Sequence, residues 1–487
     1  MSDSRCGSRC SSATATPCAR AGATGCAEHC GGSSACAGYS TEGAPMKPIG
    51  RSRVAAVLVR ALLVLSGLTA LSGCGFRDDW IAFRGEGGRG FTRNPMPPPL
   101  GVRWKLQLQS AQMRAFAFNN LVIKDNVMYF GSTDGNFYAM DIETGYMRWV
   151  FSTGAPVNSI PFADDEVVYF GSNDGHAYAV NKADGTERWR FFTGRTVQST
   201  VLRHNDYIIF SSDGGSTWFL NPDGELVHEL VNPIWHRDTF QVYDDVIYFA
   251  RGPLSNPRTL GAFDLRTREY HWLLPEEIMD ATWYSFPAVT DRRVFMATSR
   301  SRGEWWEFRH YALDRETGRI EWVHQAESRW GPDRPRNLFL EFRDLLNILD
   351  YQAPAVWRNR VIVAGGDNVV RALDARTGEP VWEREFSRRT SSAPVVAGDR
   401  VYIGLRGEDM NAPQQQPTPG FVPWTASVQD ELEPRPPRLV ALSARTGRVI
   451  WELEIEGSIL SPPVIAGRWV VFGTDRNFVY VLERVIG

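Results

Sequence analysis

Beyond about residue 120, apolar and polar positions alternate with period two in short runs broken by Gly, Asp, Asn and Pro, which predicts strands joined by tight turns. Val127-Met128-Tyr129-Phe130-Gly131 and Phe137-Tyr138-Ala139-Met140 are two such runs. A short apolar run with Ser and Pro precedes each pair. A phrase Asp-x-x-Thr-Gly-x-x-x-Trp follows it, first as Asp141, Thr144, Gly145 and Trp149, and last as Ser443, Thr446, Gly447 and Trp451. Trp149 and Trp189 lie 40 residues apart, as do Gly131 and Gly171. Four strands in such a period make a propeller blade. Within the phrase, the Asp is expected to accept hydrogen bonds from turn amides, the Gly to supply positive φ, and the Trp to wedge between blades.

Second and third strands occur in eight units, ending at Met140, Val180, Leu220, Phe263, Leu313, Leu373, Leu442 and Leu482. Outer strands also number eight but are shifted by one: they carry Trp104, Trp149, Trp189, the run Leu226 to Leu230, Trp272, Trp322, Trp382 and Trp451. The last unit ends at Gly487 with no room for its own outer strand, whereas Trp104-Lys105-Leu106 has no blade before it. The N-terminal strand is therefore expected to complete the C-terminal blade, removing the exposed edges of an open ring. The predicted fold is all-β, an eight-bladed β-propeller over 101–487, with seven or nine blades as alternatives if the weak third unit is misread.

These repeats resemble the tryptophan-docked units of the pyrroloquinoline-quinone (PQQ)-like propellers, and Trp80, Phe83, Arg84 and Gly85 resemble the Trp-x-x-Phe-Arg-Gly opening of bacterial members. Two subfamilies are implied, the quinoprotein dehydrogenases and the BamB-like lipoproteins of outer-membrane β-barrel assembly. They share a fold and differ in chemistry.

Long connections fall on one side of the repeat. Residues 251–259, 300–309 and 406–437 separate second from third strands, and 323–350 joins an outer strand to the next inner strand. Both connection types leave an antiparallel blade at the same end, so one face is elaborated and the other bare, and loops on a rigid scaffold usually carry function. Leu338, Phe339, Phe342, Leu345, Leu346 and Leu349 recur at helical spacing, predicting an amphipathic helix over 337–350 that either caps its own propeller or docks a partner. Phe421 and Trp424 stand alone in a Pro- and Gln-rich stretch, 406–437, read as a mobile loop or a partner-binding arm. Trp305 and Trp306 lie among Arg300, Arg302 and Arg309, as a self-packed hairpin or as a platform for a saccharide or protein.

Composition narrows the class. Of 487 residues, 43% are hydrophobic and the net charge is −3, with no segregated basic stretch, so a nucleic-acid partner is unsupported. All seven cysteines precede residue 75. Six lie in a Ser/Ala/Gly/Thr-rich segment, 1–45, expected to be disordered or an upstream artefact before a true start at Met46. From there Lys47, Arg51, Arg53 and Arg60 precede an apolar run from Ala61 to Leu71 that is too short to span a bilayer, so 46–73 reads as a signal peptide. It ends in Leu71-Ser72-Gly73-Cys74, which resembles a lipobox, predicting acylation of Cys74, a lipid-anchor linker and N-terminal segment over 74–100 and a membrane partner through the lipid. Gly75 in place of an inner-membrane retention Asp favours the outer membrane, facing the periplasm.

Catalytic signals are weak. Gly85, Gly87 and Gly90 match Gly-x-Gly-x-x-Gly, but no strand precedes and no helix follows. His204 and His236 have no evident carboxylate partner, and His176 sits at a hairpin tip. The dehydrogenase resemblance implies an adjacent-cysteine disulfide, a carboxylate-held calcium or lanthanide and an Asp base; the cysteine-free body denies the first, and no residues match the others. The expected function is thus a non-enzymatic scaffold without PQQ, calcium or another cofactor, holding a protein partner such as the β-barrel assembly complex. The alternatives are a quinoprotein alcohol or sugar dehydrogenase and a saccharide-binding propeller.

Overall fold

The computed structural model describes residues 79–108, 121–213, 215–231, 239–250, 259–275, 283–301, 306–327, 353–365, 368–407, 436–459 and 461–485, all within one compact unit, Gly75–Gly487. They form eight antiparallel blades. Blade 1 runs through Val122–Lys124, Val127–Gly131, Asn136–Asp141 and Met147–Ser152 from inner to outer strand. Blades 2 to 7 repeat this at 162–192, 202–231, 239–275, 283–327, 355–385 and 395–454. Blade 8 takes Val464–Ala466, Trp469–Gly473 and Phe478–Arg484 from the C-terminus, and its outer strand is Leu100–Gln107. Gly101 pairs with Glu483 and Trp104 with Val481, so the ring closes as the strand count predicts.

The repeated phrase does its work across blade boundaries. In the turn, Asp141 Oδ1 accepts the Thr144 N–H at 3.0 Å and the Thr144 hydroxyl at 2.9 Å, and Asp314 repeats both bonds with Thr317. Each outer strand slips register by one residue beside its tryptophan, a bulge that re-aims a side chain. The indole of one blade then lies on the glycine of the next blade's third-to-outer turn, Thr-Gly or, at Gly185 and Gly224, Asp-Gly. Trp149 donates to Lys182 O at 2.9 Å, Trp189 to Pro222 O at 2.8 Å, Trp272 to Arg315 O at 2.9 Å and Trp382 to Ala444 O at 3.1 Å. Trp322 donates to Ala375 O, and Trp104 reaches Ile142 O across the closure. A methyl group at Gly378 would stand 2.6 Å from the Trp322 ring, and one at Gly447 2.5 Å from Trp382. Glycine therefore serves here for close approach as well as for φ.

The weak third unit follows the same logic by exception. His228 occupies the tryptophan position, and the residue across from it is Phe219 where the other within-chain blades have alanine. The receiving turn of blade 4 carries Arg268, at φ 61°, where the others carry glycine. Indole and glycine are lost together, and Phe219 fills the interface with Phe263, ring centroids 6.4 Å apart. Trp451 departs from expectation too. It packs half-buried beside Leu453, but blade 8 receives its outer strand from the N-terminus and has no Thr-Gly turn to dock it.

One blade interface is polar at depth. His310 and His324 pair across strands in blade 5, ring centroids 5.8 Å apart, and both are held below the usual histidine range by burial first and by the Arg371 guanidinium next. Arg371 comes from blade 6, is 1% exposed and pairs with Glu383 at 3.4 Å.

Two measurements test these points. Gly378→Ala should lower stability by about 2–3 kcal/mol in denaturant titration. Gly194→Ala, also at positive φ but with nothing within 4 Å, should cost only about 1 kcal/mol; equal losses would mean that the indole contact is irrelevant. A histidine kept neutral on folding stabilises the protein above its unfolded pKa near 6.5, and that contribution is lost as pH falls below it. Stability should then drop by about 1.4 kcal/mol per pH unit for each histidine still neutral. His310→Asn should flatten this slope between pH 6.5 and 5.5.

Candidate functional site

The ends of the blades differ as the connection lengths predict. Inner-to-second turns and Thr-Gly turns share one end, called the turn face here. The long connections leave by the other. Residues Leu338, Phe339, Phe342, Leu345, Leu346, Trp305, Phe421 and Trp424 lie outside the described residues, as do Cys74, His236 and the segments 1–45 and 46–73. Trp306 opens the strand Trp306–Asp314, but its side chain is outside them too. Three boundaries change. The outer strand of blade 5 continues as Ile320–Glu327, so that insertion begins after Glu327 and not at 323. The stretch 300–309 is largely hairpin, Arg293–Ser301 pairing with Trp306–Asp314. The 406–437 insertion is tied at its ends, where the Arg406 N–H donates to Arg389 O at 2.8 Å and the Ile455 N–H to Pro437 O at 3.0 Å.

The described part of the 74–100 segment, from Asp79 onward, packs into the propeller. Asp79 accepts from Lys124 Nζ at 3.0 Å and from the Asp125 N–H at 3.1 Å at the turn face of blade 1. Trp80 exchanges backbone hydrogen bonds with Ile123 in the innermost strand, and the Ala163 N–H of blade 2 donates to Ile81 O. Phe83 then enters the axis of the ring. It is 3% exposed and clusters with Ile160, Phe286, Ala353 and Ala393 of blades 2, 5, 6 and 7, its ring centroid 4.5 Å from that of Phe286. The chain turns back through Gly87 and Gly88 against Gln241 and Pro287. Phe91–Thr92 leaves as a parallel strand along Val395–Ala397 of blade 7, a fifth strand that the repeat pattern did not announce. Asn94 reaches Gly467 O of blade 8.

Arg84 locks this plug. Its guanidinium donates to Pro354 O at 2.7 Å, Pro394 O at 3.2 Å and Gly88 O at 3.3 Å, and burial pushes its pKa down to about 9. Carbonyl dipoles replace its hydration. At Gly90 a methyl group would stand 2.4 Å from that guanidinium. The Gly-x-Gly-x-x-Gly match thus marks a tight reversal against the channel wall, in place of a phosphate cradle. The Trp-x-x-Phe-Arg-Gly opening had pointed to these residues without revealing where they go.

Little else on the turn face is built for catalysis. A shallow groove is lined by His204, Val242, Tyr243, Asp244, Asp291 and Arg315. His204 does have a carboxylate partner, Asp245 Oδ1 at 2.6 Å; the pair joins blades 3 and 4 and was invisible in sequence because the partners are 41 residues apart. His176 Nδ1 lies 3.3 Å from Asp174 at its hairpin. Among the described residues, no three His, Cys, Asp or Glu side chains are placed to hold a metal ion, and no helix is long and apolar enough to cross a membrane.

Comparison with known proteins adds a family. The profile of the family described as outer membrane protein assembly factor BamB matches residues 101–324, 256–435 and 425–487. The assembly factor BamB of Moranella endobia is 24% identical over 145 residues, 28% of this chain and 30% of that protein. That of Xanthomonas campestris is 35% identical over 91 residues, 17% and 22% of the two chains. The quinohemoprotein alcohol dehydrogenase of Comamonas testosteroni is 28% identical over 129 residues, 25% and 16%. These alignments span less than a third of each relative's length. Among solved structures, BamB from Moraxella catarrhalis superposes with a TM-score of 0.54 at 15% identity, covering 79% of this chain and all of that one. The Comamonas testosteroni dehydrogenase gives 0.59 at 14%, covering 85% and 82%. At such identities the structures share the fold alone, but the matched profile runs from residue 101 to residue 487, and the chain belongs to the BamB family of PQQ-like β-propellers.

Proposed function

We propose that this chain is a lipid-anchored, non-enzymatic scaffold in the assembly of outer-membrane β-barrel proteins, held by acylated Cys74 and facing the periplasm. The observation that carries the reading is the plug. Phe83 and Arg84 fill the axis from the turn face, while the strands that flank the long connections end on the opposite side of the ring, the side we assign to a partner. Membership of an assembly-factor family supports the same role. Candidate contacts are the apolar residues Leu338, Phe339, Phe342, Leu345 and Leu346, with Trp305, Trp306, Phe421 and Trp424.

A quinoprotein oxidoreductase is the second reading, favoured by the similarity to the Comamonas testosteroni dehydrogenase. Against it stand the plugged axis and a body without cysteine after Cys74.

Photo-crosslinkers at positions 338 and 342 in living cells should capture subunits of the β-barrel assembly complex, and deletion of the gene should lower outer-membrane protein levels. Normal levels and no captured subunit would end the assembly role. Adding PQQ and calcium to the purified protein, and to Phe83→Ala with its loosened plug, should give neither a cofactor absorbance shift nor dye reduction; either signal would favour the oxidoreductase.

A further inference from the structure

Charge on the turn face is unevenly distributed around the ring. On blades 2 and 3 its turns expose Asp165, Asp184, Asp206 and Asp223, and nearby cations of blades 1 to 3 are committed to carboxylates: Lys124 to Asp79 and Asp165, Lys182 to Asp125, and Arg203 to Asp164. On blades 6 to 8 the same turns expose Arg358, Arg376, Arg445 and Arg468, with Arg360 and Arg400 half-exposed and Arg93 of the plug beside them. Arg400 pairs with Asp399 and Arg468 with Glu143. Arg376 shares its turn with Asp374, whose pKa its charge helps to lower, and with the exposed Glu379; arginines still outnumber carboxylates on these turns. The cations crowd one another: Arg360 donates to Ala444 O at 2.9 Å and lies against Arg445. Burial, and then the Arg445 charge, lowers its pKa. The exposed Arg358 guanidinium lies over the buried Trp357, 5.0 Å from the ring centroid.

The chain enters the propeller at this same face. Asp79 is fixed at the turn of blade 1, next to blade 8 in the ring, and only residues 75–78 separate it from Cys74. Fully extended, the five steps from Cys74 to Asp79 reach about 17 Å. An acyl chain on Cys74 would keep the entry point of blade 1 near the bilayer surface, close enough for the neighbouring arginines to feel anionic headgroups within a Debye length or two.

We infer that the arginine arc of blades 6 to 8 is a docking surface for anionic phospholipid headgroups, so that the propeller rests tilted on its turn face and holds its decorated face away from the membrane. The inference rests on the anchoring of Cys74 proposed above. The acidic turns of blades 2 and 3 set the tilt, being repelled by the surface that attracts the arc. Strands of five or six residues separate the two faces by about 20 Å, which places the long connections beyond the headgroup layer and within reach of a periplasmic partner.

The cysteine-free body makes the test direct. Single-cysteine variants Arg376→Cys and Asp399→Cys on the arc, Asp184→Cys and Asp223→Cys on the acidic turns, and Asp134→Cys and Arg476→Cys on the decorated face are labelled in the acylated protein. Each is reconstituted in phosphatidylethanolamine vesicles with and without phosphatidylglycerol. With phosphatidylglycerol present, quenching by headgroup-level lipid quenchers should be strongest on the arc, intermediate on the acidic turns and absent on the decorated face. The combined Arg358→Glu, Arg376→Glu and Arg445→Glu variant, labelled at 399 and checked for an unchanged melting temperature, should lose the phosphatidylglycerol-dependent part. Equal quenching on both faces, stronger quenching on the decorated face, or a pattern insensitive to phosphatidylglycerol and to charge reversal would overturn the inference. Intact mass reports acylation separately. Protein without acyl mass removes the anchor and the docking mode together, whereas acylated protein with the wrong quenching pattern removes the docking mode alone.

Discussion

An indole lying face-on against a bare Cα, from one blade to the next, is the contact on which the ring depends. A four-stranded antiparallel sheet cannot bury both of its faces alone. It does so by stacking on neighbours, and the neighbours need a fixed spacing. The tryptophan supplies a large rigid surface with one hydrogen-bond donor, the bulge beside it sets the angle, and the glycine lets the turn backbone approach. Where His228 replaces the indole, Arg268 replaces the glycine and Phe219 replaces the small residue across the strand pair. Three positions on two blades have changed together, which is what a shared interface requires.

The same contact explains what could be read from the chain and what could not. Blade number, the shifted outer strand and the closure by Trp104 were legible because period-two strands and the Thr-Gly phrase are local signals repeated many times. Trp451 was misread for the same reason: its own phrase is intact, but the partner turn is missing from another blade. The plug was opaque because its partners, Ile123, Phe286, Pro354 and Pro394, are spread over the whole ring. Nothing in Trp80-x-x-Phe83-Arg84-Gly85 says which cavity it fills. His204 and Asp245, like His310 and Arg371, belong to different blades, and composition and spacing carry no trace of such pairings.

Function follows from how the two faces differ. The turn face is built from short turns whose polar groups are mostly used internally, with its centre closed by the N-terminal segment. The opposite face receives the insertions. The proposed scaffold role assigns the second face to a partner and leaves the first to closure of the ring. The blades resemble those of oxidoreductases because stacking four-stranded sheets has few good solutions, and a shared fold does not by itself carry a shared chemistry.

The strand that closes the ring has a further consequence in time. Gly101 and Glu483 pair although they are 382 positions apart in the chain (483 − 101), and Tyr402 of blade 7 bonds through its hydroxyl to Met96 O. The first part of the propeller to be synthesised is therefore among the last to find its partners. Until blade 8 exists, Leu100–Gln107 is an unpaired strand and the plug has only part of its channel. Contacts of such separation form slowly and leave edges open meanwhile, so closure of the ring waits on Leu100–Gln107 finding Phe478–Arg484.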